Sequence, residues 1–298
     1  MVTDRGQLLL VTAVILAMIV LGMAVMLNSA VTTEVRSPDD PTTDVTEADR
    51  IAMDIERGSA GLVGQVNTEV VRGNGDLTTS LESTFDAYAD LVFETMGDRR
   101  ATLTELSFGG VVEEGSYLAD PDPDTTLAEE TITGMTAVAG LRMSLDLSDT
   151  ERIVIDITGE TQTTEVTVEH TGSAVEIEVD GAVVETCPLG GSTELDLTRH
   201  DRSGVGCHVN PFEAIDGDGE NVTAIEISNP NDVAGAIQLV VDTSPSELSI
   251  NELDTTVIAW SVEIELSQWA RASERHVTST IEVYRHPHTI GAMEVPWA

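Results

Sequence analysis

Chemistry in this chain has few places to sit. Cys187 and Cys207 enclose a 19-residue loop, and two cysteines in a domain outside the cell are expected to pair as a disulfide. A metal site with His200 and His208 is the alternative, but CPLGG and GCH lack the short C-x-x-C spacing of zinc modules. Asp216-Gly217-Asp218-Gly219-Glu220 presents three alternate carboxylates, Asp216, Asp218 and Glu220, that could face one calcium ion. It lacks the bidentate Glu at loop position 12, and among 53 acidic residues such a run arises readily, so a solvated turn is the expectation and no metal is assigned. The histidines are His170, His200, His208, His276, His286 and His288. The Pro between the last two makes that tripeptide extended, and all six read as surface or strand-end residues. With no G-x-S-x-G, H-E-x-x-H or Walker-type loop, nothing pairs a nucleophile with its base. The expectation is a protein without catalysis or cofactor. The one N-x-[ST] acceptor is Asn221-Val222-Thr223, which makes Asn221 a candidate glycosylation site.

The elements around these residues begin with an apolar run. Gly6 to Thr33 carries no charge, and the 20 residues Leu8 to Leu27 are almost wholly apolar. At about 1.5 Å per residue they would span roughly 30 Å, the hydrocarbon thickness of a bilayer. A cleaved secretory signal has a shorter apolar region, a basic leader and an A-x-A-like exit. Here the leader has Arg5 offset by Asp4, and the exit reads Leu27-Asn28-Ser29-Ala30. The expectation is a retained, single-pass transmembrane helix over 7–35 after a leader of residues 1–6. Flanking charge does not orient it, but the cysteines and the sequon both follow it, so the C-terminal mass is placed outside the cell.

Net charge is -39, with 53 acidic against 14 basic residues, every one of them Arg. Hydrophobic residues make up 41% and mean hydropathy is +0.02, so the chain is expected to fold rather than remain an acidic coil. Such a surface repels itself where the Debye length is about 30 Å, at 0.01 M salt, and far less where it is about 3 Å, at 1 M. The composition points to brine and resembles that of proteins from salt-loving archaea. It argues against nucleic acid and anionic lipid as partners, because phosphate binding needs clustered basic residues and only Arg99-Arg100 are adjacent.

Arg36 to Asp44 holds two prolines and three aspartates and reads as a linker over 36–45. Thr46 with Asp49 offers an N-cap, and Ile51, Ile55, Leu62, Val66 and Val70 recur at helical spacing. Gly73-Asn74-Gly75 ends that helix, and a second runs back through Leu77, Leu81, Phe85, Tyr88, Leu91 and Val92, giving a helical hairpin over 46–98. Beyond it the period changes to two: RIVIDIT, EVTVEH and AVEIEVD alternate as half-buried strands do, and Asp180-Gly181 is a hairpin turn signal. Further strands are expected at 222–228, 236–242, 256–266 and 278–284. The fold class expected is α+β: an N-terminal transmembrane helix, the helical hairpin, then an extracellular, mainly antiparallel β domain over 99–298, a sandwich or curled sheet.

The opening stretch DRGQLL supplies a resemblance. A short leader ending in a basic residue and Gly, then Gln and an uninterrupted apolar helix, resembles the prepilin signals of type IV pilins and pilin-like proteins. RGQLLLVTAVILAMIVLGMAVMLNSA more closely resembles the start of single-span, pilin-like proteins of haloarchaea, over about the first 35 residues. The resemblance implies that a prepilin peptidase cuts between Gly6 and Gln7 and that the retained helix packs with other pilin-like subunits. There are departures. Many pilins carry Glu at the fifth mature position, which here is Val11, and the prolines at 38 and 41 break the long continuous helix of that family. These leave a minor or tip component, or an anchored protein that never polymerises, rather than a major filament subunit.

The function expected is a membrane-anchored, pilin-like surface protein with a structural or pilus- or secretion-assembly role, its partners being the lipid bilayer, a prepilin peptidase and other pilin-like subunits. A surface-binding or adhesion domain on an ordinary signal anchor is the second reading, and an exported hydrolase the third.

Overall fold

Period-two patterning governs far more of this chain than its cleanest runs suggest. A computed structural model describes residues 41–99, 103–120, 126–127, 129–147, 151–188, 193–197, 207–209, 211, 222–270 and 273–284, with thirteen strands and two helices among them. The chain divides into two units, Met1–Ile51 and Ala52–Ala298. Of the first, only the helical residues Pro41–Ile51 are described.

Helix α1 (Pro41–Val71) opens on a proline, whose missing N–H would be unpaired in a first turn anyway. The linker expected to reach residue 45 therefore ends earlier, and Thr46 and Asp49 lie inside the helix rather than at its cap. It stops at Gly73, whose φ of +78° suits a residue without Cβ. Gly73 N–H donates to Val70 O at 2.9 Å and Asn74 N–H to Glu69 O at 2.9 Å. Asp76 then caps α2 (Leu77–Arg99): its Oδ1 accepts the Thr79 N–H at 3.0 Å and the Thr79 hydroxyl at 3.1 Å, which hold this carboxyl below the usual carboxylate range. The two helices approach closely at Gly58, where an added Cβ would run into the Tyr88 hydroxyl.

The strands are β1 (Leu103–Ala119), β2 (Glu130–Thr133), β3 (Val138–Asp146), β4 (Arg152–Gly159), β5 (Thr163–His170), β6 (Ala174–Val179), β7 (Ala182–Pro188), β8 (Thr193–Asp196), β9 (Cys207–His208), β10 (Val222–Ser228), β11 (Ala234–Val241), β12 (Asp254–Ala270) and β13 (Ser273–Glu282). They form a seven-stranded sheet, β13-β12-β1-β11-β3-β8-β9, and a six-stranded sheet, β2-β10-β4-β5-β6-β7. Every pairing is antiparallel except β8 with β9.

The sheets pack face to face. Leu141, Met143, Leu145, Ile237 and Leu239 from one meet Ile153, Ile155, Ile157, Val166, Val168 and Ile225 from the other in a single core. With aromatics at 3%, branched aliphatics supply this core, each stabilising by about 1.5–3 kcal/mol when fully buried. β1 and β12 are 17 residues long and pair along almost their whole length, and the hairpin packs on their β1–β12–β13 portion. There Phe85 stacks on Phe108, and Trp260 lies tilted against Tyr284.

The architecture corrects the α+β expectation headed by a transmembrane helix: the described protein is mostly antiparallel β, in two sheets, with two helices. Among the described residues no helix is long and apolar enough to cross a membrane, because α1 and α2 carry acids and arginines along their length. Residues 7–35 lie outside the described residues. The β content exceeds the expectation because β1 and β3 add to it: register shifts interrupt β1, and β3, although it alternates from Leu141 to Asp146, is buried without alternation from Val138 to Leu141.

Candidate functional site

Of the residues singled out in the sequence, Cys187 is the best defined. It is buried at the end of β7, the edge strand of the six-stranded sheet, and is disulfide-bonded. The only other cysteine is Cys207, on β9, the edge strand of the seven-stranded sheet, and β7 and β9 run close to one another. A bond between Cys187 and Cys207, the pairing expected from the sequence, would join the two sheets at one margin. His208 stands opposite Asp196 in the β8–β9 register. Gly6, Gln7, Asp216, Asp218, Glu220, Asn221, His200, His286 and His288 lie outside the described residues. Thr223, two residues past Asn221, is exposed on β10, and its hydroxyl donates to Thr158 O at 3.2 Å. His170, buried at the end of β5, donates its backbone N–H to Glu151 O at 3.0 Å.

The opposite margin is closed by carboxylates that no motif marked. Glu130 on β2 is 2% exposed, yet its two oxygens accept the N–H groups of Asn251 at 2.5 Å and Glu252 at 2.8 Å. Next to it, Thr133 and Ser249 exchange both backbone bonds, at 3.1 and 3.0 Å. Gly134, at φ +97°, lies so near Glu247 O that a Cβ would sit 2.7 Å from it. Asp242 accepts the N–H groups of Thr136 at 3.0 Å and Ala137 at 2.9 Å, together with the hydroxyls of Thr136 and Thr243. Glu130 thus fastens the β11–β12 connection, which leaves the seven-stranded sheet, onto β2 of the other, and Asp242 ties the start of that connection to the segment between β2 and β3. Asn229 does similar work: its amide donates to Leu127 O at 2.8 Å and Val233 O at 3.0 Å and accepts the Val233 N–H at 2.8 Å. These carboxylates are engaged in structural hydrogen bonds to backbone N–H groups.

The outer face of β1, β12 and β13 brings together the one hydroxyl–imidazole pair described: Ser267 Oγ lies 2.8 Å from His276 Nδ1. Glu105 is the residue facing Ser267 from β1. In a hydrolytic triad the imidazole stands between hydroxyl and carboxylate. Here the register is Glu105–Ser267–His276, with the hydroxyl in the middle, and Glu105 is placed away from the imidazole. The neighbouring row holds Leu103, half-buried Trp269 and Glu274. Among the described residues, no group of three His, Cys, Asp or Glu side chains is placed to hold a metal ion.

No protein-family model matches this chain, and neither does any curated protein.

Proposed function

We propose that this is a structural surface protein, pilin-like at its N-terminus, that takes part in pilus or secretion assembly and carries out no catalysis. The apolar run Leu8 to Leu27 holds it in a lipid bilayer, a prepilin peptidase processes it between Gly6 and Gln7, and the β body stands outside the cell in brine. The observation that carries the reading is the use made of the buried polar groups. Glu130 and Asn229 hold backbone groups, and the Cys187 disulfide and the Glu130 clasp close opposite margins of two sheets. Such ties suit a rigid body and support a structural role. The DRGQLL opening, with its resemblance to prepilin signals, supports the assembly role.

Deleting the coding sequence and imaging surface filaments and secreted proteins tests it. Loss or shortening of filaments, or failure of a secretion step, restored by the intact chain, is expected. Unchanged filaments and secretion contradict it.

A second reading, surface binding or adhesion on an ordinary anchor, is favoured by the Leu103–Trp269 row, which sets an indole beside Ser267 and His276 on an open sheet face. It predicts intact filaments on deletion, with loss of attachment to a surface.

A further inference from the structure

Where β13 stops at Glu282, β12 loses its neighbour on that side. The register runs from Ala270 opposite Ser273 to Ser261 opposite Glu282, and the Val283 N–H adds one bond to Trp260 O at 2.9 Å. From there to Asp254, β12 has β1 as its strand partner among the described residues. The first backbone position past the end of β13 is nonetheless occupied, by a side chain. Asn67 of α1 donates from Nδ2 to Ala259 O at 2.9 Å and accepts the Ala259 N–H on Oδ1 at 2.9 Å. This two-bond exchange is the one facing residues of antiparallel strands make, so a carboxamide stands in for the peptide of a missing strand. Its other amide hydrogen goes to the Tyr284 hydroxyl at 2.9 Å. Asn67, Ala259 and Tyr284 are all buried.

We infer that Asn67 is a latch. The helical hairpin is a strap closed over the β12 edge, and it opens as one unit, leaving Ala259 as a free strand-pairing position while the two-sheet core stays folded. Two further features fit a separable strap. The hairpin's buried side chains, among them Val63, Leu81 and Phe85, lie outside the cluster that fills the space between the sheets. A second polar tie, from the Ser279 hydroxyl to Glu56 Oε1 at 2.7 Å, joins α1 to β13, the edge strand whose residues lie outside the cluster between the sheets. Losing Asn67 leaves the Ala259 N–H and C=O and the Tyr284 hydroxyl without these bonds, so strap and edge hold or release together. The latch goes beyond the assembly role and stands without it.

Amide hydrogen exchange on the full chain in detergent tests the latch, comparing the wild type with Asn67→Ala. Exchange at Ala259 and at the hairpin amides of Val63 and Val66 is expected to rise about tenfold or more, with Ile155 and Val168 in the sandwich unchanged. An equal rise at all five, or none at Ala259, overturns it. Should the variant not fold, wild-type exchange in rising sub-denaturing guanidinium decides. One shared opening step for Ala259 and the hairpin, below that of the sandwich, supports the latch, whereas a single global step for all five amides overturns it.

Discussion

The rings of Phe85 and Phe108 stack with centroids 4.7 Å apart and planes 17° from parallel, joining α2 to β1. Phe85 is 1% exposed, so its removal leaves a cavity between helix and sheet, whereas half-buried Phe108 can be replaced partly by solvent. Phe85→Ala should lower unfolding stability by about 3–5 kcal/mol and Phe108→Ala by distinctly less, read from chemical denaturation. Equal losses would mean that the stack is not the main contact of α2.

Glu130→Gln keeps the shape of the clasp but sets an amide NH2 against the N–H of Asn251 or Glu252. The variant should lose about 1–3 kcal/mol, and limited proteolysis should find its first new cleavage within 244–253. Cleavage unchanged from the wild type would remove Glu130 from the role of clasp.

Cys187 should titrate as oxidised in the denatured chain, with free thiols seen only after reduction. Reduction should lower stability by roughly 3 kcal/mol for a loop of 19 residues, compared by denaturation with and without reductant. Free thiols in the untreated chain would contradict this closure.

Burial pushes the Tyr284 hydroxyl above its ordinary value of 10.0, and the bond from Asn67 offsets only part of that. The folded state therefore binds this proton more tightly than the unfolded chain. Its contribution is fully present below the unfolded value and is lost as pH rises past it. Between about pH 9 and 11 the wild type should lose thermal stability faster than Tyr284→Phe. Tyr88, raised by burial and then by Asp54, leaves a smaller residual slope in the variant. Identical profiles would show that Tyr284 does not titrate against folding.

Glu226, Asp156 and Glu165 face one another in a row across β10, β4 and β5, three like charges on adjacent strands. Asp156→Asn should raise Tm by about 1–3 °C in 0.01 M salt and by much less at 1 M, where the repulsion is screened. An equal gain at both concentrations would point to something other than charge.

The sequence was most readable where one face of an element is wet. RIVIDIT alternates because β4 sends Ile153, Ile155 and Ile157 into the core and Asp156 to solvent. Leu77, Leu81 and Phe85 mark the buried face of α2 in the same way. β1 stayed hidden because Gly109-Gly110 and Glu113-Glu114 interrupt its pattern, and register shifts at those points turn the strand. β3 alternates only from Leu141 to Asp146, and its first residues, Val138 to Leu141, are all buried and carry no period-two mark. Asn67, Glu130 and Asp242 carry no signature at all, since their partners are backbone groups brought near by tertiary folding, in the case of Asn67 and Ala259 at a separation of 192 residues.

The proposed role requires that the chain be anchored, and cut between Gly6 and Gln7 as a prepilin is, before its β body acts outside the cell. Intact mass of the protein extracted from membranes with detergent tests this most directly. A chain beginning at Gln7 and recovered only with detergent is expected. A chain that still begins before Gly6 in cells with an active prepilin peptidase, or one found in the soluble fraction at full length, would contradict it.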